Sequence, residues 1–444
     1  MKIKFKLLNI LLMTLALSAF ASCQKSNPTE PTDEGINPFS NGGNERNMIV
    51  VLSDMHLGAD LAYAECNDNL PSLEKLLKQI KASPNVKELV IAGDLLDEWF
   101  VPAPINTYQG KDQADFVQRI AVTNKGVIDA FKSIIDEKKI LVTYVPGNHD
   151  LTVTEASVGL ILPGINQVRD PELGLGTYYP AGYPEIAIEH GHRYNFFCAP
   201  DPISNQDIAP GTISPPGYFF TRIAALHVSQ GFPPAGDTLP IVTPNTSGDA
   251  SQNSLYAYWK TWEWAINYLK IENRFDEKII VTNVDGFTGA YAVNDLVPFQ
   301  ETPGGFIDVN LYKGIQDTWN ERQAHNRVSV NIPVQQAIAG SADASDLDNQ
   351  AKVQYFLNPA SDVRIVVFGH THVPKFETSV DHQGQKSIYV NSGTWIDHNT
   401  LDPTAMNFVV ITPQNNDASS QTQVKLYSFK DEKVTEMAAD SLRL

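Results

Sequence analysis

Five short apolar runs of the sequence each end in side chains that can bind metal ions. The side chains after these runs are Asp54 and His56, then Asp94 and Asp97, then Asn148, His149 and Asp150, then His190 and His192, and finally His370 and His372. Six of the ten histidines fall in these motifs. Carboxylate, amide and imidazole donors without cysteine favour Mn, Fe, Zn, Co or Mg. The pattern predicts two divalent metal ions, held by ligands that come from separate strands.

Each motif also has a simpler interpretation when it is taken alone. An isolated Asp-x-His pair usually lies on a surface. Residues 148–150 fit a turn or a helix cap, since Asn and Asp side chains bond their own backbone. His192 fits a packing residue as well as a neighbour of the metal ligands. The occurrence of all five motifs directly after apolar runs favours the metal site.

The elements that must position these side chains alternate between strands and helices. The run that ends at Ala92 reads as a buried strand, and Gly93 permits a tight turn that brings Asp94 into the crevice at the end of a sheet. Helical spacing over Leu73 to Ile80, and over about 113–138, separates the first three strands. This βαβ order predicts an α/β fold with a largely parallel sheet.

The second half of the chain predicts an insertion and an antiparallel end. The interval of about 199–362 is rich in proline and carries one clear helix near 254–271. We expect it to cap the crevice and to select the substrate. The strand-like segments 387–390, 407–412 and 423–429 then suggest an antiparallel finish to a second sheet. The globular domain is expected to span 48–444.

The first 47 residues predict export and a tether. Lys2, Lys4 and Lys6 precede an apolar segment that is shorter than the roughly 20 residues of a membrane helix. Small residues then lead into Cys23, so that 1–22 resembles a bacterial lipoprotein signal peptide and implies lipidation of Cys23. Ordinary signal cleavage with an incidental cysteine is the alternative. Residues 23–47 would form a flexible tether, and the protein an exported lipoprotein of the cell envelope, periplasmic or on the outer surface.

Charge and cysteine content limit the partners further. The formal net charge is -18, which argues against a nucleic-acid polymer as a partner and against binding an anionic membrane through a basic surface. Besides Cys23, the chain contains only Cys66 and Cys198. In an exported protein these two residues form either a disulfide or two free thiols, and the sequence favours neither.

Taken in order, the five motifs resemble those of the calcineurin-like metallophosphoesterase family. Its pattern is Asp-x-His, Gly-Asp-x-x-Asp, Gly-Asn-His-Asp/Glu, His and Gly-His-x-His, and the resemblance covers roughly 48–198 and 360–412. It implies a four-layer α/β/β/α sandwich. It also implies one metal on Asp54, His56, Asp94 and His372, and a second on Asp94, Asn148, His190 and His370.

The resemblance further implies an activity. Two metals with a bridging water would hydrolyse a phosphomonoester or a phosphodiester, which makes the chain a phosphoric ester hydrolase. His149 would face the leaving-group oxygen and donate a proton, and Asp97 would orient its ring. The alternative is a scaffold that keeps the fold but not the catalysis. The presence of every ligand and of His149 favours the enzyme.

One position departs from the protein phosphatases of the family. Glu98 stands where those enzymes carry a phosphate-binding Arg, and we expect its carboxylate to repel a phosphomonoester dianion. Arg193 and Arg222 are the candidate residues that would neutralise the substrate instead.

The signal motif makes a direct prediction. Replacing Cys23 with Ser should release the protein from the membrane fraction into the soluble fraction, because the residue that carries the lipid is lost. Fractionation followed by mass spectrometry of the mature N-terminus measures this. A wild-type protein that is already soluble and unlipidated would contradict the prediction.

Overall fold

A computed structural model describes residues 37–170, 172–397, 404–415, 417, 419–430 and 433–444. The expected signal peptide, Cys23 and most of the expected tether lie outside these residues. None of the helices described here has the length and apolar character that a membrane crossing requires.

The strands are numbered in chain order. They are β1 (Met48–Leu52), β2 (Val86–Ala92), β3 (Leu141–Val145), β4 (Asn166–Gln167), β5 (Ile186–Ile188), β6 (Ile280–Val281), β7 (Ala290–Tyr291), β8 (Phe299–Gln300), β9 (Ile307–Asp308), β10 (Ile365–Phe368), β11 (Lys375–Val380), β12 (Lys386–Asn391), β13 (Asn407–Thr412), β14 (Thr422–Lys430) and β15 (Lys433–Leu442).

The helices are numbered in the same way. They are α1 (Leu70–Ala82), α2 (Gln113–Thr123), α3 (Lys125–Glu137), α4 (Glu155–Ile161), α5 (Pro216–Ser229), α6 (Ala250–Tyr268), α7 (Val293–Leu296), α8 (Trp319–His325), α9 (Val334–Gly340) and α10 (Ala344–Asp348). A 3₁₀ turn at His192–Tyr194 and a π-helical turn at Lys352–Phe356 complete the description.

Two sheets pack face to face and form the inner layers of the fold. The larger sheet has the order β15-β14-β13-β1-β2-β3-β4, and the smaller one β11-β12-β10-β5. Along β1, Ile49 and Val51 join an apolar cluster with Ile365 and Val367 of β10, whereas Val50 points to the opposite face. This alternation, which follows from the period of two in a strand, buries both faces of the larger sheet.

Helices cover the outer face of the larger sheet. The apolar side of α1, with Leu73 and Leu77, is buried in the same cluster as Val50 of β1. We predicted one helix over about 113–138, but the structure has two, since α2 ends and α3 begins at Asn124. The Asn124 amide donates to the carbonyls of Gly58 and Ile120, at 2.8 and 2.9 Å, and so stabilises the break.

The insertion covers the outer face of the smaller sheet. Phe368 of β10 contacts the rings of Tyr194 and Tyr355, with centroids 5.8 and 6.4 Å away. Tyr355 comes from the π-helical turn near the end of the interval, and Tyr194 from the 3₁₀ turn just before the interval begins. The layers therefore follow the expected α/β/β/α order, and the fold class is confirmed.

The antiparallel strands at the end of the chain belong to the larger sheet, which corrects one expectation. β13 pairs antiparallel with β1, and β14 and β15 follow it outward. Only β12 joins the smaller sheet, where it runs parallel to β10 and antiparallel to β11. The apolar alternation of 407–412 and 423–429 predicts strands, but it cannot tell which of two sheets receives them.

Arg222 ties the insertion to the rest of the domain and does not reach the substrate. Its guanidinium is fully buried on α5 and donates to backbone carbonyls, at 2.6 Å to Val101, 3.2 Å to Ala103 and 3.0 Å to Val281. It also donates to the Tyr218 hydroxyl at 2.8 Å. The expectation that Arg222 neutralises a phosphoester is therefore wrong, because its donors are used inside the protein.

Arg222→Met should destabilise the fold by at least about 3 kcal/mol, since several buried carbonyls would lose their donor at roughly 1–3 kcal/mol each. Urea denaturation measures the change. Arg274→Met is the matched control: it removes an exposed arginine of the same insertion that pairs with Asp276, and should change stability by about 0.5 kcal/mol or less. An Arg222→Met protein of normal stability would contradict this role.

Candidate metal centre

The predicted ligands converge because they follow strands that end at one edge of the fold. β1, β2 and β3 run parallel to one another, and so do β5 and β10. Their carboxyl ends carry Asp54 and His56, Asp94, Asn148, His190, and His370 and His372, respectively. The crevice at the carboxyl ends of parallel strands is where α/β folds place ligands.

The first group consists of Asp54, His56, Asp94 and His372, whose ligand atoms all lie within 4.8 Å of one another. His56 Nε2 is 3.0 Å from His372 Nε2 and 3.6 Å from Asp94 Oδ2. His372 Nε2 is 3.2 Å from Asp54 Oδ1. Two imidazoles and two carboxylates at this spacing fit a divalent cation.

The second group is built around His190 and shares Asp94 with the first. His190 Nε2 is 3.1 Å from Asp94 Oδ2 and 3.1 Å from Asn148 Oδ1. The His370 ring approaches the His190 ring edge-on at 5.2 Å, and its Nε2 lies 3.1 Å from the side-chain nitrogen of Asn195. Asp94 Oδ2 thus faces both groups, as a bridging ligand would.

The hydrogen bonds of two imidazoles leave Nε2 directed at the candidate cations. His56 Nδ1 lies 3.0 Å from Asp97 Oδ2, and His190 Nδ1 lies 2.8 Å from the carbonyl of Ala92. Each Nδ1 therefore keeps a proton, and each Nε2 is the nitrogen whose lone pair a cation would take, after displacing any proton bound there. This is the arrangement of metal-binding histidines, so the residues fit the metals that the motifs imply.

The ligands sit on strained backbone. Asp54, His56, Asp94, His370 and His372 have φ of 51°, 46°, 51°, 73° and 58°, in the left-handed region that side chains with a Cβ rarely adopt. Such residues persist where the surroundings hold them and gather at functional sites.

The loop Asn391 to Trp395 supplies part of that support. The Thr394 hydroxyl and the Trp395 amide both donate to the carbonyl of Asp54, at 3.0 and 2.9 Å. Ser392 Oγ lies 2.6 Å from Ser53 Oγ. The segment that follows β12 therefore fixes the turn that carries the first motif.

The glycines of three motifs leave space for neighbouring ligands. A Cβ at Gly147 would lie 2.1 Å from Asp94 Oδ1, and one at Gly369 would lie 2.4 Å from Asp54 Oδ2. At Gly93, a Cβ would lie 2.4 Å from His190 Nδ1. Each glycine is thus required by the ligand of another strand.

Asp150 holds two motif loops together. Its fully buried carboxylate accepts hydrogen bonds from the amides of Gly147 at 2.7 Å, Leu95 at 2.8 Å and Leu96 at 3.2 Å. Two of these donors follow β2 and one follows β3. The last residue of the Gly-Asn-His-Asp motif therefore positions the loops that carry Asp94 and Asn148.

The charges of the centre are strongly coupled. Burial alone would raise the pKa of the Asp54 carboxyl, but His190 and the neighbouring imidazoles outweigh it and hold the pKa well below its usual range. Burial would likewise lower the pKa of His190, but Asp94 and Asp54 raise it to about 9. Binding of a cation at His190 must therefore displace a proton near neutral pH.

His149 stands beside the two groups without joining either of them. Its Nδ1 lies 2.9 Å from Asp97 Oδ1, and its ring stacks on Trp99 at 5.1 Å. Burial would lower the pKa of His149, but the Asp97 carboxylate raises it above its usual value. The Asp97–His149 pair matches the orientation that the family resemblance implied.

Glu98 does not face the crevice, contrary to our expectation of repulsion. Its side chain is fully buried and accepts hydrogen bonds from the hydroxyls of Tyr108, at 2.6 Å, and Thr152, and from the Gln113 amide at 3.0 Å. Burial raises the pKa of this carboxyl. The residue serves as a packing and hydrogen-bonding group behind the site.

Arg193 also has partners within the fold. Its guanidinium lies 2.8 Å from Glu189 Oε2 and donates to the Thr177 hydroxyl at 3.0 Å, with only 11% of the side chain exposed. The role of Arg193 in substrate binding remains a prediction, but its positive charge is already paired with Glu189. His192 is buried beside the His190 ring at 5.4 Å, and neither of its ring nitrogens has a hydrogen-bond partner within the described part of the chain.

The cysteines and two further residues complete the picture. Cys66 and Cys198 are both free, so the structure supports thiols rather than a disulfide.

Sequence reasoning missed Glu65, whose Oε2 is 3.2 Å from His56 Nδ1, and Asn195, which contacts His370. Neither residue belongs to a motif, and both approach the centre from loops.

With this geometry established, comparison with known proteins identifies the family. Residues 48–212 match the sequence model described as calcineurin-like phosphoesterase. The resemblance predicted from the motifs is confirmed for this part of the chain. The match contains the first four motifs. The calcineurin-like Gly-His-x-His motif at 369–372 lies beyond it, and the structure brings this motif to the others.

Solved structures offer weaker comparisons. A single mutant of Vps29 from Entamoeba histolytica is 10% identical and covers 89% of this chain and 99% of its own, with a TM-score of 0.29. Wild-type Vps29 complexed with Zn²⁺, from the same organism, is 11% identical and covers 89% of this chain and 98% of its own, with a TM-score of 0.27. A double mutant of the same Vps29 is 20% identical and covers 18% of this chain and 41% of its own, with a TM-score of 0.14. No curated protein matches. TM-scores this low carry no argument about the fold or the function of this chain.

Gly147→Ala should remove metal from the centre, because the added Cβ would collide with Asp94, the ligand shared by both groups. Metal per chain should fall from two to below one. Activity should fall at least about 10²-fold, the cost of roughly 1 Å of misplacement. Elemental analysis after dialysis measures metal content. Gly159→Ala in α4, whose Cβ would meet nothing within 4 Å, is the control that keeps both ions. Retention of two ions by Gly147→Ala would contradict the steric argument.

Proposed function

We propose that the chain is a metal-dependent phosphoesterase that hydrolyses a phosphomonoester or a phosphodiester at two divalent cations. The observation that carries this proposal is the placement of Asp94 between two ligand groups, with His149 beside them. Two cations, when bound, would neutralise the phosphate and make the attacking water acidic. The side chains of the protein supply the rest of the chemistry.

His149 is suited to protonate the leaving group. Its Nδ1 is held by Asp97, so that Nε2 is the nitrogen left for the substrate, and 12% of its side chain is exposed. The Asp97 carboxylate favours the charged imidazole, which is the form that can donate a proton. Trp99 packs along the ring and limits its rotation.

The insertion is placed to influence substrate choice. Tyr218 of α5 meets Trp99 edge-on at 6.1 Å, directly behind His149. On the other side of the centre, the Asn195 amide that contacts His370 also donates to the carbonyl of Ser341, at 3.3 Å. These two contacts support the proposal that the interval of about 199–362 shapes the crevice.

We further propose that a lipid on Cys23 anchors the enzyme in the cell envelope. The chain enters the fold at the amino ends of β1 and β2, where the Asn47 and Met48 amides donate to the carbonyl of Asn85 at 3.0 Å. The metal ligands follow the opposite ends of these strands. The five residues of β1 span about 17 Å at roughly 3.3 Å per residue.

Two substitutions test the proposal by separating metal binding from proton transfer. Asp94→Asn should lose both metals and should lower thermal stability in their presence, because metal no longer stabilises the folded state by mass action. His149→Gln should keep both metals and lose about 10²–10⁴-fold in kcat on poor leaving groups. The loss should shrink for p-nitrophenyl esters, whose leaving group needs little protonation.

Asp97→Asn should show a milder form of the His149 effect, since it removes the charge that favours the imidazolium. Elemental analysis and kcat for good and poor leaving groups measure all three variants. Loss of metal by His149→Gln, together with retention by Asp94→Asn, would reverse the assigned roles. If the wild type with two metals hydrolyses no phosphoester in a broad screen, the scaffold is the better explanation.

A further inference from the structure

A second carboxylate contacts the outer nitrogen of a metal-ligand histidine. Glu65 Oε2 lies 3.2 Å from His56 Nδ1, on the side of the ring that faces away from the first ligand group. Asp97 Oδ2 lies 3.0 Å from the same nitrogen. The His56 Nδ1–H is therefore hydrogen-bonded to Asp97 and has the charge of a second carboxylate, Glu65, beside it; only Asp97 belongs to a motif.

Backbone hydrogen bonds hold Glu65 and its loop in place. The Asp397 amide donates to the carbonyl of Glu65 at 2.8 Å. The carboxylate of Asp397 in turn accepts hydrogen bonds from the amides of Asn67, Asp68 and Asn69, at 2.7, 2.9 and 2.9 Å. The loop between β1 and α1 is thus fastened to the segment after β12, and this directs Glu65 back toward His56.

The two carboxylates are used differently. Asp97 Oδ1 accepts from His149 and from the amides of Trp99 and Phe100, so Asp97 serves several donors at once. Glu65 Oε2 is buried and has no hydrogen-bond partner among the described residues, although 19% of the side chain is exposed. Its nearest cationic or polar group is the His56 ring.

Glu65, Asp97, His56 and His149 lie within 4.8 Å of one another, which is also a spacing at which four donors can hold a cation. A third cation is nevertheless disfavoured there. The oxygens of Asp97 already receive four donors, and His56 Nδ1 must keep its proton while Nε2 serves the first group. The geometry fits an imidazole N–H bonded to Asp97, with the Glu65 carboxylate at ion-pair distance beside it, better than it fits a further metal site.

We infer that Glu65 is a positioning residue for the first metal, which strengthens the binding of a cation by His56. A carboxylate on Nδ1–H fixes the tautomer and the ring orientation, and makes Nε2 more basic. With Asp97 divided between His56 and His149, Glu65 is the carboxylate devoted to the metal ligand. The inference rests on the metal binding in the proposed function, and not on the hydrolysis of any substrate.

Single-site backgrounds give the sharpest test. Metal-free protein is titrated with Co²⁺, followed by its visible absorbance and by calorimetry. In a His190→Ala background, which leaves the first group complete, Glu65→Gln should raise the Kd for Co²⁺ by about 10–100-fold. In a His372→Ala background, which leaves the second group complete, the same change should have little effect. Glu65→Asp should recover part of the lost affinity.

Asp68→Asn is the matched control, since Asp68 lies on the same loop with an exposed side chain, and it should bind Co²⁺ as the parent does. Unchanged affinity in the His190→Ala background would overturn the inference. So would equal losses in both backgrounds, or a fall in the stability of the metal-free protein that Glu65→Asp does not reverse. Three Co²⁺ ions per chain, reduced to two by Glu65→Gln, would assign Glu65 to a cation site instead. Binding isotherms need no substrate, so a failed phosphoester screen would leave this result standing.

Discussion

The burial of two carboxylates is the constraint on which this centre depends. Asp54 and Asp94 are almost fully buried, and the ionic partners found for them among the described residues are imidazoles. Uncompensated charges in such a position cost several kcal/mol each. Backbone amides offset part of the cost, since the amide of His149 donates to Asp94 and that of His370 donates to Asp54. Cations would offset the rest.

The motifs could be predicted from sequence because this constraint acts locally at each strand end. A ligand must follow a buried strand, and its neighbour must be glycine where another ligand passes, as Gly147 does beside Asp94. Both requirements produce a recognisable sequence pattern within a few residues. The candidate ligands and the parallel strands could therefore be predicted from the residues, whereas the assignment of ligands to each metal and the four-layer order came from the family resemblance. The choice of sheet for β13 and β14 could not be predicted.

The failures involve side chains whose partners are distant in sequence. Apart from Tyr218, one helical turn away, the acceptors of Arg222 are distant in sequence: they are carbonyls of the segment 101–105 and of Val281. Glu98 was placed in the crevice because it occupies a motif position, yet its donors arrive from a loop and from α2 and turn it inward. Asn124 divides a continuous apolar pattern by bonding to Gly58. Composition and spacing do not encode such pairings.

Asp97 links the two tasks that the centre must perform. One of its oxygens holds His56, a ligand of the first group, and the other holds His149, the proton donor. A cation on His56 Nε2 makes Nδ1–H a stronger donor and draws charge from the Asp97 carboxylate. Less charge then remains to favour the imidazolium form of His149. In the proposed mechanism, occupancy of the first metal site would therefore be coupled to the acidity of His149 through one carboxylate, and the charge of Glu65 beside His56 Nδ1 would reduce that coupling.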